Sequence, residues 1–193
     1  MTRTRLERLL LPAAATLAFG PFASAFAADY EIDATHTFVT FQITHLGIST
    51  MHGRFNELSG RFTWDKDDPA SASIDISIVP ASVDTNHAER DKHLRGEDFL
   101  NVEAFPEAGF KSTGYEGDMN GGKLMGELTL HGVTKPVTID IERMGEGPDP
   151  WGGYRAGFAG TASIKRADFG IDYNLGPAAE TMTFDLTVEG IRQ

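Results

Sequence analysis

Six histidines, 28 carboxylates and no cysteine bound the chemistry open to this chain. Thiol nucleophiles and thiolate metal sites are excluded outright. The densest run of functional side chains is Asp84-Thr85-Asn86-His87-Ala88-Glu89-Arg90-Asp91-Lys92-His93-Leu94-Arg95-Gly96. Within it His87 and His93 are six residues apart, on different faces of a helix that turns about 100° per residue. Glu89 and His93 are four apart and share a face, but two ligands make a weak metal site. No H-E-x-x-H, no G-x-S-x-G and no glycine loop opening a helix to cradle phosphates occurs in the sequence. Carboxylates are numerous enough to offer acid–base pairs, yet spacing singles none out. Neither a resident metal or other cofactor nor catalysis is expected, and the weight shifts to binding.

The first residues address the compartment. Arg3, Arg5 and Arg8 precede an apolar run from Leu9 to Phe22, followed by Ala23-Ser24-Ala25-Phe26-Ala27. A positive start, a short apolar stretch and an A-x-A end form a secretory signal peptide over residues 1–27, with cleavage before Ala28 and export to the periplasm. The apolar run is shorter than the roughly 20 residues that span a bilayer, so no stable membrane insertion is expected. No paired arginines suggest the twin-arginine route, and without cysteine no lipid can be attached at the mature end. Cleavage takes the net charge from −11 to −13, because three arginines and one glutamate leave with the leader. Such an acidic surface repels phosphate backbones, which argues against a nucleic-acid partner. Residues 28–193 then form one domain, stabilised by its packed interior with no disulfide.

That domain reads as strand after strand. Residues 37–44, 73–78 and 181–189 alternate apolar and polar side chains, as an antiparallel sheet with one buried face requires. Further strands are expected over 54–64, 109–115, 123–131, 137–144 and 154–165, separated by loops at 65–69, 117–122 and 145–150 and by a hairpin connection at 131–136. Residues 87–95 read as a short helix with Asn86 and Glu89 as a capping box and Gly96 as its stop, and 97–100 as a further turn. Eight strands with short connections suit a closed barrel or a sandwich. Inward positions Ala156, Gly160 and Ala162 are small, and Gly126 interrupts Leu124, Leu128 and Leu130. Small residues at these places suggest an interior with room for a guest, unless Phe and Met side chains from other strands fill the space.

Several segments together carry a resemblance to the YceI family. They are Asp33-Ala34-Thr35-His36, His45-Leu46-Gly47, the run Ser82–Arg95 containing Arg90-Asp91-Lys92-His93-Leu94, Phe99-Leu100 with Phe105-Pro106, Gly126-Glu127-Leu128-Thr129-Leu130-His131-Gly132-Val133-Thr134-Lys135-Pro136-Val137, Asp149-Pro150-Trp151-Gly152-Gly153, Lys165-Arg166-Ala167-Asp168-Phe169-Gly170-Ile171 and Leu175-Gly176-Pro177-Ala178. Two positions depart from the family pattern: Lys165 stands where most relatives carry Asn, and Leu100 replaces the second aromatic of an F-F pair. The resemblance implies an all-β fold, an extended eight-stranded antiparallel, lipocalin-like barrel with one or two short helices around residues 87–100. It also implies an apolar channel for a polyisoprenoid lipid, either a polyprenyl phosphate or an isoprenoid quinone. Such a chain would lie against Val39, Phe41, Ile43, Phe62, Ile76, Phe110, Leu128, Phe158, Phe184 and Leu186, each of which could equally be ordinary core. Its head would need His45, Arg90, Lys92, His93 or Arg166, although Arg90–Asp91 and Arg166–Asp168 could instead be structural ion pairs. Rival readings are a stress-responsive, chaperone-like module that binds proteins through its acidic face, and a hydrolase or isomerase acting on the lipid head. A homodimer through the barrel rims is compatible with any of them.

Overall fold

The structure, a computed structural model, describes residues 27–193. The expected leader lies outside the described residues except for Ala27. Eleven strands follow in chain order: β1 (Ala28–Ile32), β2 (Phe38–His45), β3 (Ser49–Phe55), β4 (Leu58–Trp64), β5 (Ser73–Ile78), β6 (Val83–Asp84), β7 (Ala108–Gly117), β8 (Gly121–Leu130), β9 (Val133–Pro148), β10 (Tyr154–Lys165) and β11 (Thr181–Arg192). The helix α1 (Ala88–Arg95) lies between β6 and β7.

Eleven strands make eight staves, because three staves are each broken once. β1 and β2 form the first, interrupted where Asp33 Oδ1 accepts from the Thr35 amide and hydroxyl at 2.9 and 2.6 Å. β3 continues into β4, and β5 reaches β6 through a short 3-10 turn that Pro80 starts. Every pairing is antiparallel, and the ring runs β1–β4–β5–β7–β8–β9–β10–β11 before returning to β1. On its closing edge β11 pairs first with β2 over residues 182–187 and then with β1 over 190–192. That return makes the fold a closed eight-stranded barrel, and the sandwich is excluded.

Local details differ from the sequence expectation for identifiable reasons. β1 lies outside the strands expected from the sequence, although Ala28, Tyr30 and Ile32 alternate with two acidic residues. The connection expected over 131–136 is only His131-Gly132, with φ of 52° and 71° and Leu130 paired to Val133. Positive φ at both positions gives the turn whose twist matches the flanking strands. Pro136 therefore sits inside β9, in the part paired to β8 but not to β10, where its missing N–H costs no ladder bond. Residues 145–148, expected as loop, extend β9. The helix is capped by His87, whose Nδ1 accepts from Arg90 N at 3.2 Å, while Asn86 takes a left-handed φ of 60° and does not act as the cap. Residues 97–100 form turns with no second helix, and Gly96, at φ −75°, ends α1 without the left-handed turn a glycine usually supplies.

The barrel has an upper end, at Ala28, Trp64 and the β7–β8 hairpin, and a lower end, at His45 and the β8–β9 hairpin. A large buried cluster fills the upper and middle levels, including Tyr30, Phe41, Phe62, Trp64, Phe110 and Tyr115. A second cluster floors the lower end with Phe99, Leu130, Ile164, Phe169 and Ile171, and Leu94 and Leu100 touch both. The inward glycines serve this packing: a β-carbon on Gly126 would overlap the Phe110 ring and crowd Lys111 O, and one on Gly53 would overlap the Phe41 ring. Each ring thus lies along the wall in the space a neighbouring strand leaves open. Gly126→Ala should cost about 1–3 kcal/mol in urea unfolding, as overpacked sites do, with the denaturant slope unchanged. Gly145→Ala, where nothing lies within 4 Å, should be neutral to within about 0.5 kcal/mol.

Candidate functional site

The inner wall is where the ten expected chain-binding residues converge. Val39, Phe41 and Ile43 come from β2, Phe62 from β4, Ile76 from β5, Phe110 from β7, Leu128 from β8, Phe158 from β10, and Phe184 and Leu186 from β11. Val39, Phe41, Phe62, Ile76 and Phe110 are fully buried in one cluster; Leu128, Phe158, Phe184 and Leu186 pack against it and are only partly buried. Ile43 is buried at the lower end, between Met51 and Met182 in register. Period-two alternation in a closed ring forces this outcome, since one face of every stave must point inward.

The open interior that the small residues suggested is not what this wall encloses. Rings occupy the glycine sites at Gly53, Gly126 and Gly190, and Ile139, Ile141 and Leu186 crowd Gly160. Phe158 meets Phe62 and Trp64 edge-on across the upper lumen, with centroids 5.6 and 5.1 Å apart. An apolar pocket of about 70 Å³ remains there, lined by Phe62, Trp64, Ile74, Tyr115, Leu124, Ile141, Phe158 and Val188, with Thr63, Ala72 and Ser73 at its side. Small-molecule sites begin at roughly 300 Å³, so a long chain enters only by displacing side chains.

The five expected head-group residues all lie at the lower end and do not form one site. His45 ends β2 in solvent, and Lys92 is exposed on α1. Arg90 donates through Nε to Thr85 Oγ1 and through Nη2 to Thr85 O, both at 2.7 Å, and makes no ion pair with Asp91. Asp91 is buried and accepts from Thr85 N and Oγ1. His93 approaches Asp98 at 2.9 Å and packs edge-on against Phe99 and Tyr173. Arg166 is buried and donates to the carbonyls of Ala179, Ile171 and Tyr173, with no bond to Asp168. Burial pulls its guanidinium below the ordinary value, while Asp172 and Glu180 act in the other direction. With Arg95, which donates to Ala81 O and Val83 O, these arginines tie the lower segments to the barrel.

Inward polar groups stand at the other end, away from the charged run 84–96. Arg143 is in register with Phe158, and Glu146 with Ala156, so both point to the interior side of β9. Trp64 Nε1 donates to Glu146 Oε2 at 3.1 Å, Arg143 Nη1 lies 3.8 Å from the same oxygen, and Arg143 Nε donates to Met119 O at 2.9 Å. The signal was available: Val137, Ile139 and Ile141 occupy inward parity, and Arg143 continues it with a charge.

Outside the upper rim, Arg155 donates to Asp33, Glu189 and Asp149 and lies against the exposed Trp151. Hydrogen bonds from Thr35 and Arg155 hold the Asp33 carboxyl well below the usual carboxylate range. Asp33, His36 and Glu189 present atoms within 4.8 Å of one another, as a cation site would, but the Arg155 guanidinium already supplies the positive charge to Asp33 and Glu189. A depressed carboxyl suits a permanent counter-ion, not a proton donor.

The model of the YceI-like domain matches residues 30–190. A UPF0312 protein of Pseudomonas aeruginosa is 53% identical over 171 residues, covering 88% of this chain and 90% of the relative. One from Serratia proteamaculans is 52% identical with 88% and 89% covered. A crystal structure of a Campylobacter jejuni YCEI protein superimposes with a TM-score of 0.70 at 30% identity, covering 78% of this chain and 90% of that one. A polyisoprenoid binding domain from Saccharophagus degradans shares the fold, with a TM-score of 0.63 at 18% identity over 87% of this chain and 100% of the other.

Two outcomes test these assignments. Arg166→Met should strand three carbonyls at the floor, costing about 3 kcal/mol in urea unfolding and exposing residues 170–180 to protease. Asp33→Asn should lower stability at neutral pH. Because the folded-state carboxyl titrates below its unfolded counterpart, the gap to wild type should persist above about pH 5 and close as pH falls toward 2, read from thermal melts across that range.

Proposed function

Because the chain belongs to the family of YceI-like domains, we propose that it is a periplasmic, non-catalytic carrier whose barrel interior holds the apolar chain of a polyisoprenoid lipid. The observation that carries this reading is the closed ring of eight staves whose inner wall is apolar below the Arg143–Glu146 level, with a pocket already begun at one end. The polyisoprenoid binding domain with the same fold supports the ligand class. The secretory pattern of residues 1–27 supports the compartment, and among the described residues no helix is long and apolar enough to cross a membrane.

The energetics favour a long ligand over a short one. Parting Phe158 from Trp64 and Phe62 forfeits aromatic contacts of about 1 kcal/mol each. Each CH₂ moved from water into the wall returns about 0.8 kcal/mol. A single isoprene unit already offsets the opening, and every further unit buried adds to the net gain, so a chain of many units is held most firmly. The partly buried side chains Leu128, Phe158, Phe184 and Leu186 are those with space to move.

Organic extraction of protein purified from a native periplasmic fraction, followed by mass spectrometry, should recover a prenyl chain, and the mature protein should begin at Ala28. A protein that returns no lipid, and that takes up no added prenyl chain, would overturn the carrier reading. Retention in the cytoplasm with an intact leader would overturn the compartment.

A further inference from the structure

The two ends of the barrel are built differently. At the lower end, Phe99, Phe169, Ile171, Leu94 and Leu100 pack as a floor, and Arg90, Arg95 and Arg166 fasten it through backbone carbonyls and Thr85. At the upper end the Trp64 indole lies across the opening, edge-on to Tyr115 and Phe158. Trp64 stands on β4, and β9 is four staves away whichever way the ring is followed. The 3.1 Å bond from the Trp64 indole to Glu146 therefore spans the mouth, directly over the apolar pocket that Trp64 itself lines.

We infer that the upper end is the portal of the barrel and Trp64 its gate. In the loaded protein, an oxygen of the lipid head takes the place of the Glu146 carboxylate between the Trp64 N–H and the Arg143 guanidinium. This inference rests on the carrier reading above and adds the route of entry and the orientation of the ligand, head up and tail toward the floor.

Three features support it. Glu146 brings two donors, Trp64 Nε1 and Arg143 Nη1, toward a single oxygen, the arrangement that a phosphate or quinone oxygen would accept. Arg143 is anchored independently, Nε to Met119 O and its own amide to Asn120 O, so it stays in place when Glu146 leaves. Glu146 lies between Gly145 and Gly147, around which nothing would meet an added β-carbon, and it follows the register shift of β9 against β10. The latch thus sits where β9 has passed the end of its ladder to β8 and is paired to β10 alone.

Trp64 and Trp151 are the two tryptophans of the chain, so Trp151→Phe leaves Trp64 as the reporter. Stopped-flow mixing of that protein with geranylgeranyl phosphate, a ubiquinone with a four-isoprene tail, and squalene should change Trp64 emission in every case. Glu146→Ala should raise the association rates about tenfold, the effect of losing one charge-assisted hydrogen bond from the closed state. Arg143→Met should weaken the phosphate, the quinone or both by about tenfold and leave squalene unchanged; the arm that weakens identifies the head. If no probe binds, the carrier reading fails and this inference with it. If all three bind without altering Trp64 emission and at rates indifferent to Glu146→Ala, the portal lies elsewhere and the carrier reading stands. Equal weakening of squalene by Arg143→Met would show that Arg143 shapes the wall and does not recognise a head.

Discussion

The fold depends on one pairing: β11 must find the first stave. Unpaired strand edges cost hydrogen bonds and invite association, and a sheet of eight strands removes its edges only by closing. Here the closing contact is shared, β2 taking the lower part of β11 and β1 the upper, with Asp33 and Thr35 forming the break between them. Once the ring is shut, alternation fixes every side chain as wall or surface. The apolar interior, the pocket beneath Trp64 and the inward placement of Arg143 and Glu146 all follow from that closure.

A barrel proposed to take up a guest must still be stable without one. This chain meets the requirement with aromatic rings laid over glycines. Phe41 on Gly53, Phe110 on Gly126 and Phe62 on Gly190 turn vacant wall positions into contacts. The interior is consequently close-packed, yet it is packed with side chains that pivot about single bonds, and the backbone need not move. A core of branched aliphatics interlocked from opposite staves would be as stable and far harder to open.

The sequence revealed the wall better than the mouth. Alternation is a short-range signal: over 37–44, 73–78 and 181–189 it put six of the ten expected wall residues on the inside, and the shorter patterns around Phe62, Phe110, Leu128 and Phe158 supplied the other four. The cationic groups deceived because charge density along a segment says nothing of where its donors point: Arg90 and Arg166 spend theirs on Thr85 and on backbone carbonyls. Trp64 stands 79 residues before Arg143 in the chain, and Arg143 and Glu146, three apart on β9, share a face only because the register of β9 against β10 shifts between them. Small inward residues misled in the same way, since a glycine looks like empty space until the ring on the next stave is known.

The arginine-to-carbonyl fastening of the floor has a further implication. A peptide oxygen has no proton to gain in the accessible range of acidity and no counter-ion to lose, so these bonds are indifferent to conditions that weaken carboxylate pairs. The opposite rim, where Asp33, Asp149 and Glu189 share Arg155, is sensitive to both. The arginine ties of the base therefore hold in brine or acid, whereas the firmness of the crown follows the medium around it.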